Sequence, residues 1–198
     1  GTLAVMQLMA LTLAGQSIEG AMEDLRVTQA GLAEYIGDYP KHLVELEALV
    51  GEVEQLTIVG RGPSYASAPE GALCFQEGPK VHSLGLSPGQ FWHGPVEVAD
   101  SRYTLFAMAG EAATQKEDEF LAHKALGLGA NVVWFSEREA EGLPTAILPK
   151  QRGIGLPMAE IVPLQLISIN VGKQTGFRPG DFRYLGTTVT TKKEQFMG

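Results

Sequence analysis

One cysteine, Cys74, stands in 198 residues. A lone thiol excludes an intramolecular disulfide and any metal motif that needs two cysteines, so the cytosol is the expected compartment. Basic residues are few: 15 Lys and Arg stand against 23 Asp and Glu, a net charge of −8 with no basic run. That balance argues against nucleic acid or an anionic membrane as the main partner. An anionic small molecule would need a local positive site. The apolar run Leu3–Ala14 is too short to cross a bilayer, and it lacks the basic start and small-residue cleavage site of a signal peptide. His42, His82 and His123 show no metal-ligand spacing and receive no role. Nothing calls for a metal or an organic cofactor, and no internal repeat or low-complexity segment is visible.

What is present suits one globular domain with a sizeable core, at 44% hydrophobic and 19% charged residues. The chain opens Gly1-Thr2-Leu3, without Met, inside an apolar helical pattern that has no cap before it. A processing scar would explain this. The reading we favour is a start partway through a longer protein.

Leu3–Ala14 reads as a helix buried on most sides. Ser17 can cap a second helix reaching about Gly37, and Pro40 suits the first turn of a third, ending near Gly51. Strands and helices then alternate. Strands are expected at Gln55–Val59, Lys80–Leu84, Tyr103–Met108 and Asn131–Phe135, with a weaker edge strand at Thr145–Leu148. Helices are expected at Ser64–Glu77, Gln115–Leu128 and Met158–Gly172, with a loop over Leu86–Pro95 and a turn-rich tail from Phe177. The alternation implies an α/β fold: a three-layer αβα sandwich with a parallel sheet, flavodoxin-like. Residues 1–51 would be N-terminal helices leaning outward to a lobe or subunit interface, and 52–198 the domain itself.

Three groups carry chemistry. Gly60-Arg61-Gly62-Pro63-Ser64-Tyr65 joins a strand to a helix, where open parallel sheets bind ligands and helix-start N–H groups favour anions. A tight βα turn explains the same glycines. Tyr65 in place of a third glycine, with no acid ending the next strand, disfavours a dinucleotide site. Glu70, Cys74 and Glu77 fall at i, i+4, i+7 and share one helical stripe. Two carboxylates there suit acid/base work if burial and repulsion raise one pKa; otherwise they are ordinary solvated acids. His93 sits in Gln90-Phe91-Trp92-His93-Gly94-Pro95, where Gly-Pro fixes the chain after the ring and Phe91 and Trp92 can cover one side. Histidine is the usual proton carrier at neutral pH, and also a common structural hydrogen bonder.

Jointly, Gly60-Arg61-Gly62, Ser64-Tyr65, Ala68, Glu70-Gly71-Ala72-Leu73, Glu77 and His93-Gly94-Pro95 resemble the second lobe of sugar isomerase (SIS) domain phosphosugar enzymes, similar to the isomerase half of glucosamine-6-phosphate synthase. Glu160-Ile161-Val162-Pro163-Leu164-Gln165 and the closing Asp181–Val189 segment extend the resemblance over nearly the whole chain. It implies Glu77 as the base and acid that moves a proton between C1 and C2 of a hexose phosphate. It implies His93 as the ring-opening group, supplied to a neighbouring subunit's site, and Glu70 as a supporting carboxylate. Gly60, Arg61, Gly62, Ser64 and Tyr65 would bind substrate. The partners implied are a sugar phosphate, a first SIS lobe on the same or a separate chain, and a second copy in a homodimer.

The chain departs from the pattern at four places. Cys74 replaces a lysine between the carboxylates, Gln90 replaces a glutamate, Thr187 falls where the synthase has its C-terminal lysine (Lys192 and Lys193 are displaced from it), and Pro69 enters the helix. Proline implies a helix that starts near Ser67–Pro69 or kinks. The lost lysines point away from the synthase branch and toward a deaminase, deglycase or other isomerase branch. The alternative is a non-catalytic sugar-phosphate-sensing module, and a third reading is a purely structural dimerisation lobe. Relatives hold phosphate on a Ser/Thr-rich loop of the first lobe. The equivalent here, Ala109-Gly110-Glu111-Ala112-Ala113-Thr114, is acidic and would repel it. A partner lobe is therefore expected.

Overall fold

A computed structural model of the chain describes residues 1–178 and 180–184. In chain order the elements are α1 (Thr2–Leu13), α2 (Glu19–Gly37), α3 (Tyr39–Val50), β1 (Gln55–Val59), α4 (Ser64–Glu77), β2 (His82–Leu86), α5 (Pro88–Trp92), β3 (Tyr103–Met108), α6 (Gln115–Gly127), β4 (Asn131–Ser136), β5 (Thr145–Ile147) and α7 (Leu156–Thr175). The five strands form one parallel sheet in the order β2-β1-β3-β4-β5. This is the expected doubly wound αβα arrangement, with β5 at one edge and the strand order reversing between β1 and β3.

Alternation along the strands builds two cores. In β3, Phe106 and Met108 join Leu56 and Ile58 of β1, Phe75 of α4 and Leu164 and Ile167 of α7 on one face. Leu105 and Ala107 join Trp134 of β4, Leu121 and Ala125 of α6 and Phe91 of α5 on the other. Burial on both faces explains why β3 reads as a continuous apolar run. The helix α7 is apolar and long enough to cross a membrane, but two thirds of that stretch, 67%, is buried in the domain core.

Several sequence expectations are corrected. None of the residues of α1 is buried; Met6 and Met9 are 62% and 58% exposed and Leu13 86%. Of the first three helices, α3 does not lean outward: it lies on α7 and sends Leu46 and Val50 into the core. Ser17 accepts a hydrogen bond from the Glu19 N–H, while Ile18 holds the cap position of α2. The loop expected over Leu86–Pro95 contains α5, fastened by reciprocal Ser87 and Gln90 cap bonds, and then a 3₁₀ turn at Pro95–Val98. Strand β2 begins at His82 rather than Lys80, because Lys80 adopts a left-handed backbone that no strand accepts.

Pro69 neither delays nor breaks α4, which runs from Ser64 to Glu77. Two features permit this. The carbonyl that proline leaves without its helical partner belongs to Tyr65, which is exposed. Beneath Pro69 the strand offers Gly85, where a Cβ would stand 2.3 Å from the proline Cα and nitrogen. The proline turn of the helix thus rests directly on strand backbone.

Candidate active site

The β1–α4 turn closes on itself. The N–H groups of Ser64, Tyr65 and Ala66 donate to the carbonyls of Arg61, Gly62 and Pro63, each at 3.1 Å. Gly60 is required here, since a Cβ would stand 2.2 Å from the Ser64 carbonyl oxygen. These N–H groups are therefore committed within the turn, and the anion cradle expected at this helix start is not formed by them. Tyr65 is exposed beside the turn. Arg61 is half exposed, and its Nε donates to Asp118 Oδ1 at 3.0 Å. Asp118 itself is buried in the first turns of α6, with Oδ2 lacking a hydrogen-bond partner among the described residues. Burial pushes its carboxyl above the usual range, and Arg61 pulls it back.

Ser64, expected to meet substrate, is fully buried and turned inward. Its hydroxyl donates to Glu160 Oε1 at 2.5 Å, and the Ser67 hydroxyl donates to Oε2 at 2.5 Å. The spacing i, i+3 puts both serines on the face of α4 that meets α7. Glu160 is a fully buried acid, with its pKa pushed up to about 7 by desolvation against the lowering effect of the two serines. Sequence reasoning gave it no role. The signal available was a lone acid inside the apolar run Leu156–Val171.

The stripe Glu70, Cys74, Glu77 exists as expected, on the side of α4 away from Ala68, Ala72 and Phe75. Both glutamates are exposed and Cys74 is half-buried. The burial that would make a carboxylate a poised base is therefore not supplied by this chain's described residues. Cys74 registers both acids: burial first, then the charges of Glu70 and Glu77, push its thiol up and keep it neutral. Glu77 lines a cleft of about 390 Å³ between the end of α4 and the segment after α7, with Leu73, Gln76, Lys80, Phe182, Arg183 and Tyr184.

His93 ends α5 and is exposed. Phe91 is sealed in the core and Trp92 is 40% exposed. Gly94 takes φ 147°, which turns the chain sharply after the ring. Helices α4 and α5 pack on opposite faces of the sheet, so Glu77 and His93 stand on separate layers. The loop after β3 lines a larger cleft of about 580 Å³ with Glu137, Arg138 and Gln151. Glu111 lines it as well, so two carboxylates share the cleft with the Arg138 guanidinium. Among the described residues no cluster of His, Cys, Asp and Glu could hold a metal ion. Thr187, Lys192 and Lys193 lie outside the described residues, as does most of the Asp181–Val189 segment.

The parallel five-stranded sheet with flanking helices is an α/β fold like that of SIS domains. The structure matches the C-terminal domain of glucosamine-fructose-6-phosphate aminotransferase from Francisella tularensis with a TM-score of 0.76 and 20% identity, over 89% of this chain and 52% of that one. It matches glucosamine-6-phosphate deaminase from Thermotoga maritima with a TM-score of 0.66 and 19% identity, over 94% of this chain and 55% of that one. In sequence, the chain is 27% identical over 199 residues to the isomerizing glutamine–fructose-6-phosphate aminotransferase of Thermococcus kodakarensis, covering 96% of this chain and 33% of that protein. The chain spans about a quarter to a third of the length of such relatives. No family model matches it. In fold and in sequence the chain resembles the second lobe of SIS phosphosugar enzymes.

Proposed function

We propose that this chain is the second SIS lobe of a phosphosugar isomerase or aminosugar-phosphate deaminase. The reaction is an aldose–ketose proton transfer on a hexose phosphate, through an enediol or enamine. The Glu77 carboxylate takes the proton from one of C1 and C2 and returns it to the other. His93 opens the ring as acid and base, giving a proton to the ring oxygen and taking one from the anomeric hydroxyl, and Glu70 is a supporting carboxylate on the same stripe as Glu77. Arg61 and Tyr65, exposed at the β1–α4 turn, meet substrate. Gly60 and Gly62 shape that turn, while Ser64 serves Glu160.

The observation that carries this reading is the separation of two exposed functional groups. Glu77 and His93 are presented outward from opposite layers, which supports a site built from two copies, each giving His93 to its neighbour. The exposed apolar face of α1 supports an interface function for residues 1–51, toward a phosphate-binding first lobe. That lobe would also supply the burial missing around Glu77. The whole would be a soluble, cytosolic homodimer in carbohydrate metabolism. One observation favours a second reading, sugar-phosphate sensing without turnover: the neutral, half-buried Cys74 thiol provides no cation between the two carboxylates.

The test uses the full-length protein and a panel of hexose and aminohexose phosphates. Glu77→Gln and His93→Ala should each lower turnover by about 10²–10⁴-fold with the fold intact. Mixed dimers of the two variants should recover roughly a quarter of the activity, because half of the dimers are mixed and each holds one intact site. Unchanged turnover in both variants sinks the assignment of Glu77 and His93, whereas sugar-phosphate binding with no turnover by the wild type sinks the catalytic reading and leaves sensing. No recovery in mixed dimers sinks the shared site.

A further inference from the structure

Among the described residues, Lys80 is alone in combining a side chain with a positive φ, at 62°. Such a backbone is uncommon outside glycine and persists where surrounding contacts fix it. Here the contacts come from three segments. The Lys80 ammonium donates to the carbonyl of Glu77, at the end of α4, and to the carbonyl of Asp181 at 2.5 Å. It also lies 5.6 Å from the ring centroid of Phe177 and 5.5 Å from that of Phe182. The Arg183 guanidinium stands 4.4 Å over the Phe177 ring on its own account. A cation suits this place. The end of α4 presents carbonyls and the negative pole of the helix, and aromatic faces attract the same charge.

The result bears on the cleft of Glu77. One wall is α4 with Lys80, and the other is Phe182, Arg183 and Tyr184 from the segment after α7. Tyr184 is 86% exposed and Phe182 41%, so apolar burial alone holds this wall weakly.

We infer that Lys80 is a positioning residue, a clamp that fixes the chain after α7 against the end of α4 and so sets Arg183 and Tyr184 across the cleft from Glu77. The clamp itself is a matter of geometry; its effect on turnover rests on the proposed role of Glu77. A cation opposite a carboxylate, with a phenol beside it, would grip an anionic polyhydroxy ligand, so Lys80 acts through ligand binding rather than in the proton transfer.

Two measurements on full-length Lys80→Met and Lys80→Arg separate these levels. Trypsin cleavage at the Arg183–Tyr184 bond, followed by mass, should be about tenfold faster in Lys80→Met, the scale of one lost cation–aromatic contact and hydrogen bond. Lys80→Arg should restore near wild-type protection. With a hexose phosphate that the protein turns over, Lys80→Met should raise KM about tenfold and leave kcat within about twofold, and Lys80→Arg should reverse this. Wild-type protection in Lys80→Met, or no rescue by arginine, overturns the clamp. A loss of kcat at constant KM overturns the positioning role. If Glu77→Gln leaves turnover untouched, the catalytic proposal fails separately, and tail protection still decides the clamp.

Discussion

Glu160 makes the stability of this domain depend on pH in a direction opposite to that of most acids. In the unfolded chain its carboxyl has the ordinary value, 4.5, and in the fold it is pushed up to about 7. Below pH 4.5 both states hold the proton, and Glu160 contributes nothing to the slope. Between 4.5 and 7 the folded state keeps a proton that the unfolded state has lost, so stability falls as pH rises. Above 7 the full penalty is present. The shift corresponds to about 3 kcal/mol, a large share of a domain's net stability. Glutamine has the same shape. Its oxygen can accept from one serine and its amide can donate to the other, so Glu160→Gln keeps both partners without a charge to bury. Urea unfolding from pH 5 to 8, followed by the fluorescence of buried Trp134, reads both proteins. The difference between them cancels every other titrating group. We expect the variant to gain on the wild type by roughly 2–3 kcal/mol between pH 5 and pH 8. A constant difference across that range would refute the reasoning.

Two further predictions concern stability. Gly85→Ala drives a Cβ to 2.3 Å from the backbone of Pro69, which cannot swing aside as a side-chain tip would. It should cost about 1–3 kcal/mol in thermal or urea unfolding, and a neutral result would mean that α4 does not rest on β2 as described. Arg61→Ala strands the buried Asp118 carboxylate and should cost about 2 kcal/mol, less than for a fully buried pair because Arg61 is 41% exposed. Asp118→Asn removes the buried charge and should cost clearly less, so equal losses in urea titrations would count against a stranded carboxylate.

Much of the fold is legible in the sequence because its signals are local. Continuous apolar runs fix β1 and β3 to the residue, and the spacing of apolar and small residues fixes α4 and α6 to within a residue. Their alternation implies the parallel, doubly covered sheet. The short α5 escapes that reading because five residues carry no period, although Ser87 and Gln90 are a cap signature. Pro69 misleads, because the device that tolerates it, Gly85, lies on another strand.

The candidate site divides in the same way. The shared stripe of Glu70, Cys74 and Glu77, and the position of His93 before Gly94-Pro95, follow from helical spacing and chain order alone. Which serine faces inward, which acid is desolvated and which lysine gathers a remote segment are decided by elements far apart in sequence. Ser64 meets Glu160 across 96 positions, and Lys80 meets Asp181 across 101. Spacing along the chain determines what a single helix or strand presents. Desolvation, close approach and charge pairing depend on distances between elements, and only the packed tertiary structure sets those.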